Sequence, residues 1–198
     1  MTDLAYAVTV SALVAEQSAQ EITIQYRLSN QSQTRVFAFD RVLYFDQKGQ
    51  TKNAETDAYI FLEGQSIARL VRGIINPPMY MSVSRRPPIV VTPIEAGQSA
   101  IGTIKLPLPF SEMNPYFPRQ TCDGKVVKPI VILRLQIGWV EQRQNMTFAK
   151  VTIDGTEMIR LQGGGGSPLQ RVAQTEISVG RVALCPYIGK FYSALLAQ

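Results

Sequence analysis

The clearest alternation of apolar and polar positions in this chain runs over residues 131–139. Large apolar side chains take the odd positions, while arginine, glutamine and glycine take the even positions from 134 to 138. A period of two is that of a β-strand with one buried face. Each such side chain contributes roughly 1.5–3 kcal/mol on leaving water, so the pattern predicts a central strand of an antiparallel sandwich. The predicted core positions in this strand are Val131, Leu133, Leu135, Ile137 and Trp139.

The same period marks segments nearer the start of the chain. Residues 4–10 and 22–28 alternate strictly, and they predict the first two strands. A third strand is predicted over residues 36–45, with either a bulge or a paired charge where Asp40 and Arg41 interrupt it. The core positions predicted from the first two strands are Tyr6, Val8, Ile22, Ile24, Tyr26 and Leu28.

Later strand signals are shorter. Residues 59–62 and 67–75 are interpreted as two strands, in preference to a helical turn over residues 66–72. Residues 146–153 are predicted to form a hairpin with the central strand, and Asp154 and Gly155 to form the turn that follows. Residues 89–92, 100–106, 158–161 and 174–184 are the remaining predicted strands, and the glycines of residues 163–167 indicate a flexible linker.

Many short strands separated by turn signals, with few helical periods and no internal repeat, predict the fold class. It is an all-β fold, an antiparallel immunoglobulin-like β-sandwich with long Pro-rich loops. A chain of 198 residues can build such a sandwich as one domain, so residues 1–198 are predicted to form a single β-sandwich domain.

Prolines bound two irregular segments, residues 76–88 and residues 107–119, which we call the first and second proline-bounded segments. Proline cannot donate a ladder hydrogen bond, so both are predicted to be loops or sheet edges. Their aromatic, methionine and arginine content is typical of protein interfaces. The alternative is that the aromatic side chains pack back onto the sandwich. The predicted partner-binding residues are Met79, Tyr80, Met81, Arg85, Arg86, Phe110, Tyr116, Phe117 and Arg119.

The chain has two cysteines, Cys122 and Cys185. We predict a disulfide between them, with Cα atoms about 4.4–6.8 Å apart; two free, separately buried thiols are the alternative. A disulfide favours an oxidising compartment, so a periplasmic or exported location is predicted, with a cytoplasmic one as the alternative. No signal-peptide pattern follows Met1, which begins either a cytoplasmic protein or a chain whose signal peptide was removed.

The chain has no histidine. Ser-His-Asp and Cys-His mechanisms and imidazole metal sites are therefore excluded, and no metal or cofactor is predicted. Catalysis would have to use carboxylates, Lys, Tyr or Cys, and a glycosidase-like carboxylate pair is the main remaining route. The spacing of the acids singles out no pair. Glu141, close to Trp139, is the most suggestive single acid, but a solvated carboxylate at a hairpin end is the simpler interpretation.

The net charge of +5 permits weak attraction to polyanions, but no array of basic and aromatic residues favours nucleic acid, and no run is long enough to span a membrane. The leading hypothesis is a non-catalytic protein-binding or assembly module of a cell-envelope or exported system. Its partner is another protein, and a homo-oligomer is left open. The alternatives are a carboxylate-based enzyme such as a glycoside hydrolase, and a weak polyanion or nucleic-acid binder.

Overall fold

The computed structural model describes residues 7–46, 48–54, 57–77, 87–116, 122, 127–162 and 170–186. Over these ranges the protein is all-β, with fourteen strands and no helix. The strands are β1 (Val8–Gln17), β2 (Glu21–Asn30), β3 (Val36–Ala38), β4 (Val42–Phe45), β5 (Thr51–Ala54), β6 (Tyr59–Glu63), β7 (Ile67–Arg72), β8 (Val90–Ile94), β9 (Ser99–Pro107), β10 (Phe110–Ser111), β11 (Lys128–Glu141), β12 (Thr147–Ile153), β13 (Thr156–Gln162) and β14 (Arg171–Cys185).

The smaller sheet has three antiparallel strands in the order β1-β2-β9. Strand β2 lies in its centre, because it pairs with both β1 and β9. Every second residue from Ile22 to Leu28 is apolar or aromatic and faces inward. Strand β9 continues this inner face with Ile104 and Leu106, while Ile101 on the opposite face is 67% exposed.

The larger sheet is organised around β11. One edge of β11 pairs antiparallel with β14. Its other edge is shared: residues from Ile132 to Ile137 pair in parallel with β7, and residues from Trp139 to Glu141 pair antiparallel with β3. The sheet order is β10-β14-β11-β3-β8-β13-β12, with β6 outside β7, and β4 and β5 form a separate hairpin.

The main core lies between the two sheets, an arrangement consistent with a β-sandwich. The prediction of a buried central strand is confirmed at Leu133, Leu135, Ile137 and Trp139, each at most 2% exposed. The core predicted from the first two strands is also confirmed, except for Tyr6, which lies outside the described residues. The confirmed positions are Val8, Ile22, Ile24, Tyr26 and Leu28.

The prediction for Val131 is wrong. Its side chain is 40% exposed, and Ile130 is fully buried in its place. The pairing of β11 with β14 shifts between Ile130 and Ile132, and the backbone N–H groups of both Val131 and Ile132 point at the carbonyl oxygen of Ser66. This β-bulge reverses which side chains face inward, so the prediction that odd-numbered residues face the core holds only on the C-terminal side of it.

The strand pairs are mostly antiparallel, as predicted, but β7 with β11 and β10 with β14 are parallel pairs. Strand β12 pairs with β13 and lies at the far edge of the sheet; the predicted hairpin with the central strand does not form. The third predicted strand is divided at residues 39–41 into β3 and β4.

Two local predictions are confirmed. Residues 59–63 and 67–72 form strands and no helical turn. Asp154 and Gly155 form the two-residue turn between β12 and β13, with φ values of 53° and 78°. Positive φ at both central residues is what a type I′ hairpin turn requires. In the part of the chain that the structure describes, no helix is long and apolar enough to cross a bilayer.

Candidate functional site

A side chain clamps the backbone between β7 and the first proline-bounded segment. The amide of Gln170 accepts a hydrogen bond from Ile74 N at 2.9 Å and donates one to Ile74 O at 2.7 Å. A Cβ atom at Gly138 of β11 would collide with Gln170 Oε1. Glycine at this position therefore leaves the space that the clamp occupies.

The second proline-bounded segment is fastened at the same place. Tyr116 donates its hydroxyl proton to Ile75 O at 2.6 Å, and its backbone N–H donates to Asn114 Oδ1 at 2.9 Å. Tyr116 was predicted to contact a partner. In the structure its hydroxyl links the chain at the second segment to the chain just before the first.

Phe110 does not supply an exposed contact surface. It is 1% exposed, because β10 pairs with β14 and turns the ring into the main core. Residues following β10 are also tied to the sandwich: Met113 and Ile60 exchange two backbone hydrogen bonds of 2.9 Å, and buried Glu112 accepts one from Leu62 N at 2.7 Å. The other predicted partner-binding residues lie outside the described residues: Met79, Tyr80, Met81, Arg85, Arg86, Phe117 and Arg119.

The predicted pairing of the two cysteines is present. Cys122 and Cys185 form a disulfide, and their Cα atoms are 5.7 Å apart, within the predicted interval. Cys185 is the last residue of β14, and its carbonyl oxygen accepts a hydrogen bond from Glu112 N at 3.1 Å. The disulfide thus joins the chain beyond the second proline-bounded segment to the end of β14.

A first cavity of about 450 Å³ lies beside this disulfide, between β6, β9 and β10. Ile60, Leu106, Phe110 and Met113 line it, together with Cys122. Asp57 is the single acidic residue in its lining. One carboxylate does not provide the acid and base that hydrolysis of a glycosidic bond requires.

A buried arginine, which sequence reasoning did not single out, connects both sheets. Arg72, at the end of β7, is 2% exposed. Its Nε donates to Asp57 O at 3.0 Å, Nη1 to the Tyr26 hydroxyl oxygen at 2.8 Å and to Asp40 O at 3.0 Å, and Nη2 to Thr103 O at 2.8 Å. Carbonyl and hydroxyl oxygens therefore replace the water that the guanidinium loses on burial.

Tyr26 contributes to this network from the centre of the smaller sheet. It pairs directly with Gly102 of β9, and a Cβ atom at Gly102 would overlap the Tyr26 ring and hydroxyl oxygen. Burial raises the pKa of the Tyr26 phenol, and the nearby Arg72 charge partly opposes this effect. The phenol therefore keeps its proton at neutral pH.

A second cavity of about 380 Å³ opens beside Tyr26 and Arg72. Its lining contains three cationic residues and one acidic residue. The acidic residue is Asp40, which is 7% exposed and accepts a hydrogen bond from the Thr92 hydroxyl at 2.6 Å. The lining residues are Tyr26, Asp40, Arg41, Arg72, Ile101, Gly102, Thr103 and Lys105.

Several charged side chains on the sheet surfaces form ion pairs. Arg134 contacts Glu63 at 2.8 Å and Glu176 at 2.7 Å. Glu141, the most suggestive single acid in the sequence, lies 3.6 Å from Arg171, whose guanidinium is also 5.4 Å from the centre of the Trp139 ring. Among the residues that the structure describes, no group of three or more cysteine or carboxylate side chains could hold a metal ion.

No protein-family model matches the chain, and comparisons with curated proteins and with solved structures found no match. The functional argument therefore depends on the residues and their geometry.

Proposed function

We propose that the protein is a non-catalytic module that binds another protein through its two proline-bounded segments. The observation that carries this proposal is the 2.6 Å hydrogen bond from the Tyr116 hydroxyl to Ile75 O, which joins the bases of both segments. Described residues of two distant parts of the chain are thereby brought into contact beside the two segments.

The way the segments are held supports binding. The Gln170 clamp and the Cys122–Cys185 disulfide fix chain positions next to them, and prolines restrict the conformations of the residues between. Less conformational entropy is then lost when a partner immobilises the segments. Met79, Tyr80, Met81 and Phe117 would supply apolar contact area, while the three arginines would favour an acidic partner surface. The arginines are Arg85, Arg86 and Arg119.

The two alternatives have weaker support. A carboxylate-based enzyme needs two convergent acids, and each of the two described cavities is lined by one. A nucleic-acid binder needs clustered free cations, whereas Arg134, Lys52, Arg35 and Lys150 each contact a carboxylate.

The disulfide supports a periplasmic or exported location, because a structural disulfide persists in an oxidising compartment. We accordingly place the proposed module in a cell-envelope or exported system. An immunoglobulin-like relationship is part of this proposal, supported by two sheets that share one core; the two parallel strand pairs are additions to that architecture.

The test compares two triple variants in affinity capture from extracts of the source cells, read by quantitative mass spectrometry. The first carries Tyr80→Ala, Arg85→Ala and Arg86→Ala. The matched control carries Tyr44→Ala, Arg143→Ala and Arg160→Ala, which remove one tyrosine and two positive charges from exposed positions elsewhere. Tyr116 is left unchanged, since its hydroxyl holds the two segments together.

We expect specific proteins to be captured by the wild type and by the control but not by the first variant, with similar melting temperatures for all three. Equal capture by all three would contradict the proposal. Intact capture combined with a loss of roughly 1 kcal/mol or more of stability in the first variant would instead assign these side chains to covering the core.

A further inference from the structure

We propose that the second cavity, between Tyr26 of β2 and Lys105 of β9, binds the oxyanion group of a small ligand. This site is separate from the partner-binding function proposed above. It combines a charge, a hydrogen-bond donor and a volume that together suit a carboxylate or phosphate group.

The charge comes from the lining. Lys105, Arg41 and Arg72 outnumber the single acidic residue, Asp40. Lys105 makes no ion pair or hydrogen bond with the residues that the structure describes, and its position on β9 is exposed. Its ammonium group can therefore meet an incoming anion without first breaking an internal contact.

The donor is the Tyr26 hydroxyl. Its oxygen already accepts a proton from Arg72 Nη1 at 2.8 Å, so its own proton can be donated to something else. Tyr26 is 2% exposed and lines the cavity, and Arg72 is the hydrogen-bond partner that the structure gives its hydroxyl group. A ligand oxygen in the cavity would accept the remaining proton of that hydroxyl.

The volume sets the class of ligand. At about 380 Å³ the cavity lies near the small end of the range for small-molecule sites, roughly 300–1,000 Å³. It has room for a small organic acid or phosphate ester but not for a folded partner. Carboxylate and phosphate oxygens both accept hydrogen bonds from a phenol and an ammonium group, so the two ligand types are separated by experiment.

The experiment is an NMR titration of the wild-type protein with sodium phosphate and, separately, with sodium acetate, at constant ionic strength and pH. We expect saturable shifts centred on the amides of Gly102, Thr103 and Lys105 with at least one of the two anions. Saturable shifts with phosphate alone would identify a phosphate-type ligand, and saturable shifts with acetate alone would identify a carboxylate-type ligand. Saturation by neither would overturn the proposal.

Variants test the assigned groups. Lys105→Gln should weaken binding by about tenfold, because it removes one of the positive charges in the cavity lining. The matched control Lys48→Gln removes the same charge from the exposed turn between β4 and β5 and should change binding less than about twofold. Equal weakening by both would show nonspecific attraction and contradict the site.

Tyr26→Phe should also weaken binding, since it removes the phenolic O–H and leaves the ring. Circular dichroism checks that this variant is folded. If it is not folded, Lys105→Gln compared with Lys48→Gln decides the question alone.

Discussion

At the scale of single residues, Tyr26 and Gly102 form a matched pair across β2 and β9. The Tyr26 ring covers the position that a side chain at Gly102 would occupy, and from there its hydroxyl oxygen reaches Arg72 in the other sheet. The choice of glycine on one strand thus determines a hydrogen bond between the two sheets.

The substitution Gly102→Ala tests this dependence. The added methyl group should displace the Tyr26 ring and break its hydrogen bond to Arg72, for a loss of roughly 1–3 kcal/mol in the free energy of unfolding by urea. The control Ile101→Ala changes an adjacent side chain that is 67% exposed, and it should alter stability by less than about 0.5 kcal/mol. Similar losses for both variants would contradict the interpretation.

Tyr59 makes the stability depend on pH in the alkaline range. Its hydroxyl donates to Leu43 O at 2.9 Å, and burial raises the pKa of the phenol above its ordinary value of 10.0. In the unfolded chain the phenol loses its proton near pH 10, whereas in the folded protein it keeps that proton. The contribution of Tyr59 to stability is therefore constant below about pH 10 and falls as the pH rises further, by up to about 1.4 kcal/mol per pH unit.

We expect Tyr59→Phe to be less stable than the wild type at pH 7, by about 1 kcal/mol, because Leu43 O loses its donor. Above pH 10 the difference should shrink, since the variant has one fewer phenol to titrate. Urea unfolding at a series of pH values measures both effects. Parallel stability curves for the two proteins would show that Tyr59 does not titrate differently in the folded state.

At the scale of elements, the β-bulge in β11 decides which of two neighbouring residues belongs to the core. Ile130 is fully buried and Val131 is 40% exposed, although the alternation in the sequence favours Val131. A bulge changes the phase of a strand without leaving a mark in the hydrophobic pattern, because both sides of it still alternate.

Alanine substitutions distinguish the two arrangements. Ile130→Ala should cost about 2–5 kcal/mol, as expected for a fully buried isoleucine. Val131→Ala should cost less than about 1 kcal/mol. Chemical denaturation of both variants gives the comparison, and a larger loss for Val131→Ala would mean that the strand has no bulge.

The positions of strands were predictable where the alternation of buried and exposed residues is visible in the sequence of a single strand. From Ile22 to Leu28 in β2 and from Leu133 to Trp139 in β11, each alternate inward position is apolar or aromatic, so the local pattern reports the burial directly. Pairing was not predictable in the same way. Strand β12 carries a short strand signal next to β11, but its partner β13 is selected by the Asp154-Gly155 turn, and β11 receives β14 from a later part of the chain.

At the scale of the whole molecule, the all-β class was predictable from the sequence. Of the features in the candidate site, the disulfide was predictable and the cavity beside Arg72 was not. The cysteine pairing was inferred from composition, since the chain has two cysteines and they bond to each other. Arg72 and the cavity beside it were not inferred, because four other segments of the chain supply the hydrogen-bond partners of this arginine. A single arginine after the apolar positions of β7 gives no sign that Tyr26, Asp40, Asp57 and Thr103 will surround it.

The shared edge of β11 has a consequence for how the chain reaches its fold. Ile132 pairs with Ile67, and Trp139 pairs with Ala38, so this edge of the central strand forms only through pairing between residues distant in sequence. Such topologies fold slowly, typically over milliseconds to seconds. During synthesis β14 emerges after all the other partners of β11. Until then one edge of β11 has no partner strand, so this apolar strand can pair with other chains and aggregate.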